Sequence, residues 1–598
     1  MKKFAVLVVV LAFLLLTGCA TIIDYGLGAP AGGHVRMIEE KNVMVPMRDG
    51  VRLATDIYRP RGEGKYPAVV CRLPYGSDGS MYGILAKFYV RHGYIFIMQD
   101  TRGTFSSEGT YFPLVFEYDD GHDTIEWVTR QPWYNGKIGT WGGSYFGYTQ
   151  WEAAPDEPAI TAMNPLYTSG TMKDVIYRGG ALVYLTFIPW NAGMKEADNA
   201  KKGIKEEVKV DLLAGGYYNQ PIRDAQKLDT RELLKDPKNL EKGVELWTSH
   251  PGDIQEVDAL NFDKFYAHVS APSLLIGGWY DMFQGPELND FNRIRAEGKG
   301  NAKQTRIIVG PWTHGAPGIP HNKIFHQKML DGLKMYGSSM IAWFDCWLKG
   351  VNNGAAKEAP LKLFVIGENQ WRDEKEWPLA RTIWTDYYIH SGGSANSSSG
   401  DGKLDSQKPE SEGADQFVYD PADPAPTRGG AFLPYGEWPA GSFDQSSIEQ
   451  RKDVLVFYSQ PLAQALEVTG PVKMILYATS DAKDTDFTAK LVDIYPDGKA
   501  YNLCDGIIRA RYRESLIHPS ALEPGKVYKY EIDLWATSNL FLPGHRIAIE
   551  VSSSNFPQFD RNTNCAGEGG PDCRKVAHQT ILHNAQYPSH VILPIIPR

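Results

Sequence analysis

Short, apolar, β-rich runs alternate with helix-compatible stretches over the first part of the chain. These runs lie at residues 67–72, 93–98, 137–141, 273–276 and 306–309. Apolar runs of this length, spaced by helices, are typical of strands that are buried on both faces of a mostly parallel sheet. We therefore predict an α/β domain from residues 37–167 and 261–352. The charged, helix-rich stretch 168–260 interrupts it, and we expect this insertion to cap the carboxyl edge of the sheet.

The pattern changes after residue 352. Helical periodicity fades, and short alternating runs at 454–458, 472–477, 527–534 and 546–551 are separated by Gly, Pro and Asp. This pattern predicts an all-β jelly roll or sandwich over residues 353–598. Inside that region, the Ser- and Gly-rich stretch 391–415 has little apolar surface to bury, so we expect a mobile loop or a disordered insertion there.

The segment with most chemical information is residues 137–147, KIGTWGGSYFG, which a helix-compatible run follows. A nucleophilic serine at a tight strand-to-helix turn needs small neighbours, and Gly142, Gly143 and Gly147 provide them around Ser144. The segment departs from the G-x-S-x-G pattern because Phe146 occupies the position of the second glycine. The alternative is a Gly-rich turn with an incidental serine.

Two downstream runs end in the groups that a nucleophilic serine requires. One strand leads to Asp281, and the next leads to His314. A histidine removes the serine proton, and a carboxylate fixes the tautomer of that histidine. The order Ser, acid, His along the chain is the order of the α/β-hydrolase fold. We therefore predict a triad of Ser144, Asp281 and His314, although either strand-end residue alone would more often be a turn former or a structural hydrogen-bonding group.

Two tyrosines are candidates for the oxyanion hole. Tyr75 follows an early strand and offers its hydroxyl, while Tyr145 offers its backbone N–H directly after the serine. The alternative for Tyr75 is a half-buried packing residue. Trp190, Trp279 and Phe283 are candidates for an aromatic acyl pocket, although aromatic residues here are more often part of the core.

The N terminus is typical of an exported lipoprotein. Two lysines precede an apolar run of residues 4–16, which is too short to span a bilayer, and Leu16-Thr17-Gly18-Cys19 follows. We predict a signal peptide over 1–18, a lipid on Cys19, and a tether over 19–36. Such a protein would be anchored to a membrane. We expect it in the outer membrane, where it would face the periplasm or lie at the cell surface. The alternative is an ordinary cleaved signal with a chance cysteine.

Composition excludes several function classes. The net charge of −9 offers no basic surface, so we expect no nucleic acid partner. The six cysteines are too few and too scattered for a zinc site or a disulfide scaffold, although Cys565 and Cys573 bracket a Gly-rich segment that a disulfide could close. We expect no metal and no cofactor. A rival metal-dependent hydrolase would use His314, His321 and His326, but no helical H-E-x-x-H motif supports it.

Eight stretches together resemble the cocaine esterase and X-prolyl dipeptidyl-peptidase family of serine hydrolases, which includes glutaryl-cephalosporin acylases and α-amino acid ester hydrolases. They are residues 72–75 (RLPY), 100–103 (DTRG), 123–127 (DTIEW), 131–133 (QPW), 141–147 (WGGSYFG), 278–281 (GWYD), 310–314 (GPWTH) and 554–557 (SNFP). The resemblance runs from about Val43 to the C terminus. It implies a helical cap, a C-terminal jelly roll, the triad named above, and an oxyanion hole from the Tyr75 hydroxyl and the Tyr145 amide.

One departure from the family bears on the substrate. In the α-amino acid ester hydrolases, acidic residues shortly after the triad aspartate hold the substrate ammonium group, whereas Met282, Phe283 and Gln284 follow Asp281 here. We therefore expect hydrolysis of a small-molecule ester or amide, or of a short peptide, through an acyl-serine intermediate. X-prolyl dipeptidyl-peptidase or glutaryl-type acylase activity remains open. A third alternative is an inactive lipoprotein whose jelly roll binds carbohydrate.

Overall fold

The computed structural model describes residues 35–77, 80–201, 260–315, 323–411, 413–566 and 573–598, with a few isolated positions outside these ranges. The predicted signal peptide, Cys19 and residues 204–259 of the predicted cap lie outside the described residues. Among the described helices, none is long and apolar enough to cross a membrane.

A ten-stranded sheet forms the first part of the described chain, in the order β1-β2-β4-β3-β5-β6-β9-β10-β11-β12. Its strands are β1 (Met37–Pro46), β2 (Arg52–Pro60), β3 (Tyr66–Leu73), β4 (Ile95–Asp100), β5 (Tyr134–Gly143), β6 (Ile160–Leu166), β9 (Leu274–Gly278), β10 (Arg306–Gly310), β11 (Leu361–Val365) and β12 (Gln370–Glu374); β7 (Tyr177–Arg178) and β8 (Ala181–Leu182) pair as a separate short hairpin. From β4 to β11 neighbouring strands are parallel. The five predicted strands and the predicted parallel sheet are confirmed.

Helices cover both faces of this sheet. They are α1 (Ser80–Arg91), α2 (Glu117–Thr129), α3 (Tyr145–Ala153), α4 (Lys173–Ile176), α5 (Tyr184–Lys201), α6 (Gln284–Glu297) and α7 (Lys323–Lys349). Successive residues of β3 point to opposite faces, so that Val69 lies in one core cluster with Phe344 of α7 and Val70 lies in another with Trp151 of α3. Burial on both faces explains why the strands are apolar runs rather than alternating ones. The predicted α/β fold class is confirmed.

The division between the two sheets differs from the predicted boundary at residue 352. Strand β11 pairs in parallel with β10, and β12 closes the same sheet as an antiparallel edge strand. The first sheet therefore extends to Glu374, into the segment predicted as purely jelly roll. The short turn between β11 and β12 gives no local sign of the sheet to which it belongs, and only the pairing of β11 with β10 shows which sheet the hairpin joins.

The C-terminal part is a second sheet of eleven described strands, antiparallel except where β14 meets β16. Its strands are β13 (Ile383–His390), β14 (Lys403–Asp405), β15 (Ala414–Tyr419), β16 (Leu455–Tyr458), β17 (Leu466–Ser480), β18 (Asp486–Ile494), β19 (Ala500–Arg509), β20 (Tyr528–Phe541), β21 (Arg546–Ser552), β22 (Ala577–Leu582) and β23 (His590–Ile596). The four alternating runs that predicted the β domain fall on β16, β17, β20 and β21. The predicted β domain is therefore confirmed.

The described residues of the Ser- and Gly-rich stretch, 391–411 and 413–415, are ordered, contrary to the expectation of a mobile loop or a disordered insertion. Two carboxylates organise it: Asp401 accepts the N–H groups of Gly392 and Ser394 at 2.8 and 3.1 Å, and Asp415 accepts that of Ala395 at 2.8 Å. The buried imidazole of His583 holds Asp415 in turn at 2.9 Å. Hydrogen bonds to these two carboxylates, of which Asp401 is exposed and Asp415 buried, order this stretch where apolar burial could not.

Candidate active site

Ser144 lies at the turn between β5, which ends at Gly143, and α3, which begins at Tyr145. Its backbone is strained, with a φ of 55° and a ψ of −127°. A Cβ on Gly147 would lie 2.4 Å from the Thr168 side chain. Position 147, one residue later than in the motif, therefore requires a glycine, because the loop that contains Thr168 packs against it.

Asp281 and His314 meet although 33 residues separate them, because β9 and β10 are parallel neighbours and both side chains follow the carboxyl ends of these strands. The His314 Nδ1 atom lies 2.8 Å from Asp281 Oδ2. Asp281 is buried, and its other oxygen accepts the N–H of Phe283 at 2.8 Å. With Nδ1 engaged by the carboxylate, Nε2 of His314 is the nitrogen left for proton transfer.

Ser144 and His314 line the same cavity, which has a volume of about 390 Å³. Its wall is largely apolar and aromatic. The apolar and aromatic lining residues are Leu114, Tyr145, Phe146, Tyr148, Tyr167, Met172, Phe187, Trp190, Met282, Phe283 and Leu433. Besides Ser144 and His314, the described lining contains two further polar side chains of note, the Tyr75 phenol and the Thr186 hydroxyl. The cavity therefore suits an apolar group held against the serine.

The Tyr75 hydroxyl hydrogen-bonds to Ser144 and accepts the indole N–H of Trp190 at 3.1 Å. Burial raises the pKa of Tyr75 to about 12, against the opposite effect of these two hydrogen bonds. The phenol thus remains protonated near neutral pH and can donate. Because Tyr145 begins α3, its backbone N–H lacks a partner within the helix. The structure brings both predicted oxyanion donors beside Ser144.

The side chain of Tyr145 is held away from the serine by a buried charge network. Its hydroxyl donates to Glu117 Oε1 at 2.7 Å and accepts the N–H of Leu114 at 2.8 Å. Glu117 also forms a buried ion pair with Arg72, at 3.0 Å. Arg72 lies three residues before Tyr75, so one carboxylate links the segments that carry the two candidate oxyanion donors.

Of the three aromatic residues predicted for the pocket, Trp190 and Phe283 line the cavity and Trp279 does not. The Phe283 ring lies 5.7 Å from the His314 ring, centroid to centroid. Trp279 is buried on the other side, where its indole N–H donates to the carbonyl of Phe364 at 2.8 Å and its ring packs against Trp377. The prediction for Trp279 was therefore wrong: this residue belongs to the core beneath β11.

The cavity-wall residues that sequence reasoning missed include Tyr167, Thr186 and Leu433. Tyr167 follows β6, and its ring lies 6.0 Å from the His314 ring. Leu433 belongs to the C-terminal part of the chain, and its N–H donates to the Thr186 hydroxyl of α5 at 3.1 Å. The strand end before Tyr167 was a usable signal. No local signal could have identified Leu433, because its contact joins residues 247 positions apart.

The rival metal site has no support from the described residues. His321 lies outside them, and so does the side chain of His326. Elsewhere in the described chain, no group of three or more His, Cys, Asp or Glu side chains could hold a metal ion.

In the C-terminal part, Cys565 and Cys573 are joined by a disulfide with a Cα–Cα distance of 6.2 Å.

Comparison with known proteins gives a consistent result over both parts of the chain. Residues 49–316 match the family model of X-Pro dipeptidyl-peptidase (S15 family), and residues 353–592 match that of the X-Pro dipeptidyl-peptidase C-terminal non-catalytic domain. The chain is 37% identical over 573 residues to cocaine esterase from Rhodococcus sp. strain MB1 Bresler, covering 93% of this chain and 98% of that protein.

Two solved structures share nearly the whole architecture. An aminopeptidase from the marine sediment archaeon Thaumarchaeota archaeon superimposes with a TM-score of 0.74 at 26% identity, covering 94% of this chain and 97% of its own. An α-amino acid ester hydrolase gives a TM-score of 0.73 at 25% identity, covering 95% and 98%. The relatives thus include an esterase, an ester hydrolase and a peptidase. This chain belongs to the cocaine esterase and X-Pro dipeptidyl-peptidase family and is a serine hydrolase.

Proposed function

We propose that this enzyme hydrolyses esters of uncharged, apolar carboxylic acids through an acyl-Ser144 intermediate. The observation that carries the proposal is the His314–Asp281 pair, at 2.8 Å, whose histidine lies with Ser144 on the wall of an apolar cavity. This is the arrangement that converts a serine hydroxyl into a nucleophile.

In the proposed mechanism, His314 Nε2 takes the Ser144 proton as the hydroxyl oxygen attacks the ester carbonyl. Asp281 stabilises the imidazolium that forms. The Tyr75 hydroxyl and the Tyr145 N–H donate to the developing oxyanion. His314 then protonates the leaving alcohol, and a water molecule, activated by the same imidazole, releases the acid and restores Ser144.

The cavity wall favours an uncharged acyl group over a charged one. A dipeptidyl-peptidase substrate presents a free ammonium group, and a glutaryl substrate presents a carboxylate. Among the described lining residues, none is an Asp, Glu, Lys or Arg that could pair with either charge. Gln284 also turns away, because its amide donates to the carbonyl of Ala536 at 2.6 Å. Burying an unpaired charge in an apolar cavity is costly, so a neutral acyl group fits best.

The experiment is a substrate panel of p-nitrophenyl acetate, butyrate and benzoate beside Ala-Pro and glutaryl p-nitroanilides. We expect turnover of the neutral esters, with kcat/KM highest for the larger acyl groups. Preferential cleavage of the Ala-Pro or the glutaryl amide would overturn the proposed substrate class. Turnover of none of the five, with no labelling by a fluorophosphonate, would overturn the proposed chemistry.

Ser144→Ala and a matched pair of histidine variants test the proposed residues. Ser144→Ala should lower kcat by about a millionfold. For His314→Ala, the chain offers a control in His268, whose Nδ1 lies 2.8 Å from Asp156 Oδ2 in an exposed pair remote from the cavity. His268→Ala should leave kcat unchanged. Equal losses in the two histidine variants would contradict the assignment of His314 as the base.

We propose further that the enzyme is exported and lipid-anchored through Cys19. The support is the sequence of residues 1–19: a basic start, a short apolar run, and Leu-Thr-Gly before the cysteine. The full-length protein, expressed in a bacterium fed labelled palmitate, should carry label and sediment with the outer membrane. Cys19→Ala should lose the label. A labelled Cys19→Ala protein, or an unlabelled and soluble wild type, would refute the anchor.

A further inference from the structure

The short hairpin of β7 and β8 is held by the C-terminal part of the chain at its turn and at β8. The N–H of Arg509, at the end of β19, donates to the carbonyl of Gly179 in the turn at 2.8 Å. Leu182 on β8 donates its N–H to Asp560 Oδ1 at 2.7 Å and accepts the N–H of Asp560 at 3.0 Å. A Cβ on Gly179 would lie 2.0 Å from the carbonyl oxygen of Ile507. The hairpin therefore lies directly against β19.

This hairpin leads straight into α5, which forms one wall of the cavity. Val183 alone separates β8 from Tyr184, the first residue of the helix. Thr186, Phe187 and Trp190, within the first two turns of α5, line the cavity. Because the hairpin and the helix are joined by one residue, the position of the hairpin determines where this wall lies.

Arg178 of the hairpin is buried among groups of the C-terminal part. Its guanidinium forms a buried ion pair with Asp505 at 3.0 Å and donates a second hydrogen bond to the backbone carbonyl of Asp505. The central guanidinium carbon lies 3.9 Å from the centre of the Trp535 ring. The Gln558 amide donates to Asp505 Oδ1 at 3.2 Å. We call these four residues the Arg178 junction. A planar cation with two hydrogen bonds and a stacked ring fixes the hairpin in one orientation.

The Arg178 junction also lies against the segment that carries Leu433. A Cβ on Gly430 would lie 3.0 Å from Asp505 Oδ2 and 2.8 Å from Gln558 Oε1. Leu433 follows three residues later, lines the cavity, and donates its N–H to the Thr186 hydroxyl of α5 at 3.1 Å. The junction therefore fixes this second wall segment relative to the first.

A third wall segment, the start of α6, meets the Arg178 junction at Trp535. A Cβ on Gly285 would lie 2.6 Å from the Trp535 ring, on which the guanidinium is stacked. Gln284 donates its amide to the carbonyl of Ala536 at 2.6 Å and accepts the N–H of Ala536 at 3.3 Å. Phe283, which lines the cavity, directly precedes these two residues. Three wall segments that are far apart in the chain therefore converge on one buried ion pair.

We propose that the Arg178–Asp505 pair is a positioning element for acyl-group selectivity, because it holds these three wall segments at the distance from Ser144 that a large acyl group requires. The inference rests on the proposed function and deepens it: it assigns the preference for larger acyl groups to a buried contact with the C-terminal part. Neither Arg178 nor Asp505 is among the described lining residues of the cavity. Their effect passes through the wall segments and not through contact with substrate.

A second ion pair provides a matched control. Arg372 on β12 donates two hydrogen bonds to the Glu467 carboxylate on β17, at 2.7 and 3.0 Å, and so also joins the first sheet to the second. Neither residue is among the described lining residues of the cavity. Loss of either pair weakens the contact between the two parts of the chain. Loss of the Arg178–Asp505 pair alone is expected to change selectivity.

The experiment compares p-nitrophenyl benzoate with p-nitrophenyl acetate in Arg178→Met and Arg372→Met. In Arg178→Met we expect kcat/KM for the benzoate to fall by about 10- to 100-fold, mainly through a higher KM, because the displaced walls bind the larger acyl group less well. The value for the acetate should stay within about threefold of the wild type, because this small group uses little of the wall. Arg372→Met should keep the wild-type ratio of the two values.

A double variant separates positioning from the damage that an unpaired buried charge causes. Arg178→Met leaves the Asp505 carboxylate buried without its cation, which is destabilising. Arg178→Met combined with Asp505→Asn removes both charges. We expect the double variant to lose as much benzoate selectivity as the single variant, because the two side chains act as one unit. A double variant with the wild-type ratio would overturn the proposal.

Labelling with a small methyl fluorophosphonate measures the folded enzyme and the state of its nucleophile. In Arg178→Met we expect a complete labelled fraction and a rate constant close to that of the wild type, because the probe needs little of the acyl pocket. An unchanged benzoate-to-acetate ratio, an equal change of that ratio in Arg372→Met, or labelling slowed as much as benzoate turnover would each refute the positioning role. Failure of the proposed function looks different, since the wild type would then hydrolyse neither ester.

Discussion

The Tyr75→Phe variant gives the sharpest test of the proposed oxyanion hole, because it removes one oxygen atom and keeps the ring. The ring of Tyr75 packs edge-on against Phe146, with centroids 6.2 Å apart, and the phenylalanine can keep this contact. The lost hydroxyl lies between the Trp190 indole and Ser144. With the pKa of Tyr75 raised by burial to about 12, the wild-type group stays a donor throughout the assay range.

The magnitude follows from the number of donors. The proposed hole has two, the Tyr75 hydroxyl and the Tyr145 amide, and loss of one oxyanion donor typically costs about 2.7–4 kcal/mol of transition-state stabilisation. We therefore expect kcat for p-nitrophenyl esters to fall by about 100- to 1000-fold, with KM changed little, because the bond strengthens only as the oxyanion forms. If Tyr75 serves packing alone, the substitution would mainly leave the Trp190 indole N–H without an acceptor. That loss would lower the free energy of unfolding by about 1–3 kcal/mol.

The assay is steady-state kinetics of the wild type, Tyr75→Phe, Trp190→Phe and the double variant, together with thermal unfolding of each. Trp190→Phe removes the donor to Tyr75 and leaves the phenol beside Ser144, so its loss of kcat should be much smaller. A kcat for Tyr75→Phe within about fivefold of the wild type would refute the oxyanion role of the hydroxyl. A loss of stability without a loss of kcat would assign Tyr75 to packing.

Three further outcomes follow from the site. Asp281→Asn should lower kcat by about 10,000-fold, measured with a p-nitrophenyl ester, because the amide favours the wrong tautomer of His314; a loss under tenfold would contradict this. Leu433→Ala should lower kcat/KM for the benzoate ester by about tenfold and affect the smaller acetate less, since it removes apolar contact with the acyl group; equal effects on both esters would contradict that reason. Burial raises the pKa of Asp290 to about 7, so the folded protein keeps a proton that the unfolded chain releases near pH 4. The stability that this group contributes is present below about pH 4 and is lost as the pH rises to about 7. Asp290→Asn should therefore make the unfolding temperature fall less between about pH 4 and about pH 7. A pH dependence equal to that of the wild type would refute the raised pKa of Asp290.

The sequence predicted the parts of the fold that depend on local patterns. Apolar runs without alternation identified the buried parallel strands, and alternating runs identified the β domain, because side-chain direction repeats every two residues along a strand. The stretch 391–415 was the exception. Composition alone indicated mobility there, whereas Asp401 and Asp415 within the stretch accept its backbone N–H groups, and the distant His583 holds Asp415.

For the site, local sequence patterns were enough to identify the candidates Ser144, Asp281 and His314. Each follows a recognisable strand, and parallel strands bring their carboxyl ends to one edge of the sheet. Which aromatic residues surround them depends instead on how the folded chain packs. Trp279 and Phe283 lie four positions apart, yet one packs in the core and the other faces His314. The contact of Leu433 with Thr186 depends on the packing of segments far apart in sequence, and such packing has no local signature because its free energy comes from long-range burial.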